Sequence, residues 1–115
     1  MNIIIKLLIS TVSVIIVAWL LPGVHVESFT TALIVAAVIG VLNIFLKPLL
    51  VIFTIPITII TLGFFLLVIN TIIIMISSNL VDGFYVDGFW WAFFFSILLS
   101  FISSLLGINK NRSSD

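Results

Sequence analysis

Charge is the scarcest property of this 115-residue chain: four basic and four acidic residues make up 7% of it, where soluble domains carry about 25%. Apolar residues make up 63%, against about 45–50% in soluble domains, so a water-soluble enzyme is excluded. Cysteine is absent, which excludes disulfides, thiolate metal sites and cysteine nucleophiles. The net charge is zero and no basic run occurs, which argues against nucleic acid as a partner.

What is abundant is uninterrupted hydrophobicity. The charges fall at Lys6, Glu27, Lys47, Asp82, Asp87, Lys110, Arg112 and Asp115, leaving four long uncharged stretches of 20, 19, 34 and 22 residues. A helix of about 20 apolar residues crosses the roughly 30 Å hydrocarbon core of a bilayer. The chain therefore reads as an all-α integral membrane protein, with a single transmembrane domain over 1–108 and a polar tail over 109–115. The first apolar run, from Leu7 to Leu21, has only Lys6 before it among charged residues and no small-x-small cleavage site before Pro22. A retained helix is expected there, not a cleaved signal.

Four spans are expected, at about 3–21, 29–46, 56–78 and 89–107. Pro22-Gly23 stops the first and Lys47-Pro48 the second, because proline removes an amide donor. The third stretch would be about 51 Å long as one straight helix, too long for a single span. Divided at Leu62-Gly63 it gives two helices of about 22 Å, too short to cross without thinning the bilayer. Division at Pro56 is the better expectation. Residues 48–55 then form a short interfacial or re-entrant turn, and Pro56 occupies the first turn of the third span, where its missing amide costs little.

Four spans put both termini on one side. Lys6, Lys47, Lys110 and Arg112 all fall on that side, which the positive-inside rule makes cytoplasmic, and Glu27, Asp82 and Asp87 fall in the two opposite loops. Trp19, Trp90 and Trp91 border the same outer loops, as interfacial aromatics do.

The outer loops also repeat at an offset of 60 residues. Leu20-Leu-Pro-Gly-Val-His-Val-Glu-Ser-Phe29 aligns with Leu80-Val-Asp-Gly-Phe-Tyr-Val-Asp-Gly-Phe89. The shared motif is Gly23, Glu27 and Phe29 against Gly83, Asp87 and Phe89. The match continues into the helices, where Ala32, Ala36 and Gly40 correspond to Ala92, Ser96 and Ser100. Small residues four apart share a helix face and let backbones approach closely, so these six are the expected helix-packing positions. Two helical hairpins of the same orientation follow, a parallel repeat. Each loop alternates its side chains, and the two loops are expected to pair as a small β-ribbon.

Catalytic groups are nearly absent, so no enzyme, no cofactor and no small-molecule substrate is inferred. A metal site at His25 and Glu27 would need further ligands, and only Asp82 and Asp87 are available opposite. No ionisable residue falls in the middle of a span, which disfavours proton- or ion-coupled transport. The interior polar residues singled out are Asn43, Thr58, Thr61 and Asn70. They either line a water-filled lumen in an oligomer or bond across packed helices, each such bond contributing about 0.6 kcal/mol.

Several segments resemble a known family: Asn43-Ile-Phe-Leu-Lys-Pro-Leu-Leu, Ile55-Pro-Ile-Thr-Ile-Ile-Thr-Leu-Gly-Phe-Phe, Leu67-Val-Ile-Asn70, and Val81-Asp-Gly-Phe-Tyr-Val-Asp-Gly-Phe-Trp90. Over nearly the whole chain these are similar to phage holin family 4, small four-span bacterial membrane proteins also called YvlD-like. The resemblance implies an inner-membrane location, the lipid bilayer as partner, and self-association into a homo-oligomer that opens the membrane to an endolysin. Two classes stay open: a holin-like protein that self-associates, and a non-lytic membrane component linked to envelope structure or stress.

Overall fold

The computed structural model describes residues 2–107; the tail expected at 109–115 lies outside them. The elements run α1 (Ile3–Leu20), β1 (Val24–Val26), α2 (Phe29–Phe53), α3 (Ile55–Ile60), α4 (Phe65–Leu80), β2 (Phe84–Val86) and α5 (Phe89–Leu105). This is an all-α membrane protein with one small ribbon. Over an 18-residue stretch the mean hydropathy of α1 and α2 is 2.5 and 2.4, and each is long and apolar enough to cross a bilayer. At about 1.5 Å per residue α4 and α5 are some 24–26 Å long, about a turn shorter than a 30 Å core.

Local chemistry sets the helix ends. The Asn2 side chain caps α1 by accepting from the Ile4 amide at 2.7 Å, and Ser28 Oγ caps α2 by accepting from the Thr31 amide at 3.1 Å. Leu21, held extended before Pro22, ends α1. Val81 takes the same extended conformation after α4 with no proline following it. Gly88 precedes α5 at φ 116°, which only glycine adopts readily, and has no capping side chain.

The four long helices form a ring. Helix α1 packs on α2, α2 on α4, α4 on α5 and α5 on α1, while the diagonal pairs make no close approach. The two loops pair antiparallel at one end of this ring, with Val24 opposite Val86, His25 opposite Tyr85 and Val26 opposite Phe84. Equivalent residues are 60 apart, so this register puts the His25–Tyr85 pair on a two-fold axis. Backbone bonds flanking the strands obey the same symmetry: the Glu27 amide donates to Gly83 O at 3.0 Å, and the Asp87 amide donates to Gly23 O at 2.8 Å. Degree of burial also repeats, differing at only four of the thirty positions 11–40 matched with 71–100.

The core fills the half of the ring next to the ribbon, where Val14, Val17, Val35, Ile73, Phe84 and Phe95 are fully buried. Phe84 reaches down from the ribbon onto Phe95, ring centroids 5.5 Å apart. Five buried hydroxyls in this half bond to their own helix, and Ser78 Oγ donates to Phe84 O in the ribbon at 3.1 Å. Thr11, Ser13, Thr71 and Ser77 donate to carbonyls four residues back at 2.7–2.9 Å, and Ser96 donates to Phe93 O at 2.8 Å. None needs water.

The chain between α2 and α4 differs from expectation. Helix α2 does not stop at Lys47-Pro48; Pro48 lies inside it and the helix continues to Phe53. Proline's φ suits a helix and its cost is one lost amide bond and a local clash, which membrane helices tolerate. The stop comes at Thr54, whose hydroxyl donates to Leu50 O at 2.7 Å in place of further helix. The separate short helix is therefore 55–60, not 48–55, with Pro56 in its first turn. The expected continuous span over 56–78 is broken at 61–64. There the Gly63 amide donates to Thr58 O at 2.8 Å and the Leu62 amide to Ile59 O at 3.1 Å. This bond pair is a Schellman cap. Leu62 and Gly63 adopt φ 56° and 90°, left-handed values that end a helix.

Candidate functional site

The small-residue stripes divide by level. Ala32, Ala36, Ala92 and Ser96 are buried and serve packing inside the ring, whereas Gly40 and Ser100 are exposed. A Cβ on Gly40 would meet no atom within 4 Å. Since α2 and α5 are diagonal, the two stripes do not pack on each other, and at Gly40 no neighbour requires a glycine.

What lies beside Gly40 is an open cavity of about 680 Å³ between α1, α2 and α5, at the end away from the ribbon. Its end toward the ribbon is apolar, formed by Val14 and Ala36; Ile39 and Leu99 lie level with Ser10, and toward the mouth Lys6, Asn43, Ser100 and Ser103 share the lining with Ile3, Leu7 and Ile44. Lys6 lies fourteen residues from the ribbon end of α1, and Asn43 and Ser103 lie fourteen from the ribbon ends of α2 and α5. A cation, an amide and a hydroxyl from three helices thus share one level. None of the five polar side chains has a hydrogen-bond or ion-pair partner among the described residues. The satisfied hydroxyls of the ribbon half and the unsatisfied groups here are separated in space.

Of the polar positions singled out from sequence, Asn43 lines this cavity and the others do not. Thr61 serves the break between α3 and α4: its hydroxyl donates to Ile57 O at 3.0 Å and accepts from the Phe65 amide at 3.2 Å. Thr58 Oγ1 is buried without a hydrogen-bond partner. Asn70 is half-buried, at the repeat position of Ser10. Lys6, which from sequence marks topology, and the interior hydroxyls Ser10 and Ser103 join Asn43 here; counted back from the ribbon along each helix, Lys6 and Ser103 are level with Asn43.

The outer-loop motif is structural. Gly23 and Gly83 are buried, and their carbonyls receive the amides of Asp87 and Glu27 described above. A Cβ on Gly23 would collide with the Trp91 indole, and one on Gly83 would come within 2.8 Å of Glu27 Oε1. Phe29 and Phe89 lie exposed at the helix starts, and Trp19 and Trp90 are also exposed at that end. His25 Nε2 lies 3.9 Å from Asp87 Oδ2, but both side chains are about 60% exposed, so this ion pair contributes little. Among the described residues no three His, Asp or Glu side chains gather where they could hold a metal.

A ring of four apolar helices, closed at one end by a ribbon and built from two similar hairpins, defines a small all-α integral membrane protein. Residues 1–105 match the family described as mycobacterial 4 TMS phage holin, superfamily IV, and the chain belongs to that family. It is 36% identical over 103 residues to the uncharacterized membrane protein YvlD of Bacillus subtilis (strain 168), covering 89% of this chain and 87% of that one. It is 31% identical over 112 residues to the uncharacterized protein SCO3922 of Streptomyces coelicolor (strain ATCC BAA-471 / A3(2) / M145), covering 89% and 90% respectively. No solved structure matches the chain.

Proposed function

We propose that this holin-family protein crosses the bacterial inner membrane four times with both termini cytoplasmic, and acts by associating with further copies of itself. The orientation is supported by Lys6 and Lys47, which lie in α1 and α2 away from the ribbon, and by Glu27, Asp82 and Asp87, which flank it. Self-association is supported by the closed interior of the single protomer. Phe84, Phe95, Val35 and Ile73 fill the ring on the ribbon side, and the hydroxyls there are already bonded to backbone. A polar solute has no route through one protomer, so any opening of the membrane runs between protomers.

One observation favours the second reading, a non-lytic membrane component. The outward faces of the helices carry Ile5, Leu8, Val12 and Ile15 on α1 and Phe94, Ile97 and Phe101 on α5. Rows of this kind suit lipid and would line water poorly. Induced expression with membrane potential followed by a dye separates the two. The holin-like reading expects depolarisation and arrest above a threshold level of protein; cells that stay polarised and keep dividing at high expression refute it.

A further inference from the structure

We infer that the cavity between α1, α2 and α5 is a binding site for one anionic phospholipid of the leaflet at the Lys6 end. This goes beyond the functional reading and rests only on the chain's residence in a bilayer. Three features select that ligand. First, depth: from Ile3 to Val14 the cavity follows α1 for about 16 Å, close to half the roughly 30 Å hydrocarbon core and hence to one leaflet. Second, the polar lining is confined to the mouth side: only apolar side chains such as Val14 and Ala36 line the end toward the ribbon, and Ser10, Ser100, Lys6, Asn43 and Ser103 all lie nearer the mouth, among apolar neighbours there as well. Third, the polar groups want an anion. Among the described residues the mouth offers one cation and several neutral donors, no carboxylate lines it, and no protein group satisfies these side chains. Groups left unpaired in a bilayer are costly, and a phosphate oxygen accepts from ammonium, amide and hydroxyl alike.

Water alone would satisfy the donors but not fill the apolar end, and a detached acyl chain would do the reverse. The two-fold axis sharpens the assignment to one site. The second hairpin repeats Ser10 as Asn70 but has Leu66 where the first has Lys6, so only one of the two equivalent positions carries the cation. Basic pockets between membrane helices are a known way of holding anionic head groups.

The test is native mass spectrometry of the purified full chain in detergent, with phosphatidylglycerol or phosphatidylcholine of the same acyl chains added, and glycerol phosphate as the head group alone. Adducts are read on the single-protomer peak, so self-association does not enter the result. The wild type should retain one phosphatidylglycerol about fivefold better than phosphatidylcholine, the effect of one basic group near an anionic lipid. Lys6→Gln should abolish that preference. Gly40→Leu, for which the structure has open space, should fill the cavity and lower retention of both lipids, with helicity by circular dichroism unchanged. Equal retention of the two lipids by the wild type, an undiminished preference in Lys6→Gln, or unchanged retention in a folded Gly40→Leu would each overturn the inference. So would glycerol phosphate binding as tightly as the lipid, which would make the cavity a site for soluble phosphate.

Discussion

Gly23→Ala is the substitution whose cost the geometry sets most directly. Gly23 is buried where the chain leaves α1 for the ribbon, and a Cβ there would fall on the Cγ, Cδ2 and Cε2 atoms of Trp91. Carbon atoms in contact lie about 3.5–4.0 Å apart, so either the indole or the turn must move. Trp91 is half-buried and packs on the core, so it cannot swing freely. Overpacking of this kind costs about 1–3 kcal/mol, and the collision of a rigid backbone substituent with three ring atoms belongs at the upper end. A loss of about 2–3 kcal/mol lowers the folded-to-unfolded ratio about 30- to 150-fold. The second hairpin contains the repair. Over Gly83 the residue equivalent to Trp91 is Thr31, whose Cγ2 would stand 3.2 Å from a Cβ there. Gly23→Ala with Trp91→Thr should therefore recover much of the loss, with a coupling of about 1–2 kcal/mol. Gly40→Ala is the control: nothing lies near, and replacing a helical glycine should gain up to about 1 kcal/mol. The assay is reversible unfolding in mixed micelles followed by far-ultraviolet circular dichroism. Gly23→Ala unfolding at the wild-type midpoint, or no recovery on adding Trp91→Thr, would refute the reasoning.

Three further outcomes are expected in the same assay. Leu62→Gly should stabilise by about 1 kcal/mol, because Leu62 holds φ 56° and is 95% exposed, so strain is relieved with little packing lost; a lower midpoint would contradict this. Ser28→Ala should cost about 1 kcal/mol through the lost cap on α2, and no change would mean that the Thr31 amide finds another partner. Phe84→Ala should cost about 3–5 kcal/mol, since the ring is fully buried against Phe95, and the loss of amide-exchange protection should be greatest in the ribbon. An even loss along the chain would argue against the ribbon as an independently tied element.

The ribbon was readable in the sequence because two signals coincide there: alternating side chains in each loop, and a Gly-x-x-x-acid spacing repeated 60 residues later. The chain between α2 and α4 was not, for a specific reason. Pro48 and Pro56 are equally strong breakers on paper, yet one lies inside a helix and the other near the start of one. Which amide a proline removes matters only once the partner carbonyl is known, and for Pro48 that carbonyl lies in the same long helix. Division at Leu62-Gly63 fails on length alone, because each half is too short to span by itself; a helix in a packed ring need not reach the full thickness of the core. The stripes ending at Gly40 and Ser100 were legible as a repeat, but helical spacing shows which residues share a face and not whether anything covers it. In the sequence Lys6 marks topology and nothing more; its level with Asn43 and Ser103 depends on the register of three helices, which no local pattern encodes.

The axis through His25 and Tyr85 has a consequence for what a single joined chain can hold. Two copies of one hairpin related by such an axis have the design of a symmetric dimer, in which every residue must suit both of its equivalent surroundings at once. Joined end to end in a single polypeptide, the halves are released from that obligation. Histidine can face tyrosine on the axis itself, where two separate identical chains would have to place the same side chain twice. Tryptophan can cover one turn and threonine the other, and a lysine can stand at one helix start with a leucine at its counterpart. Fusion turns a symmetric scaffold into one that can hold two different ends, and divergence between the halves is then the place to look for what selection has asked of this protein.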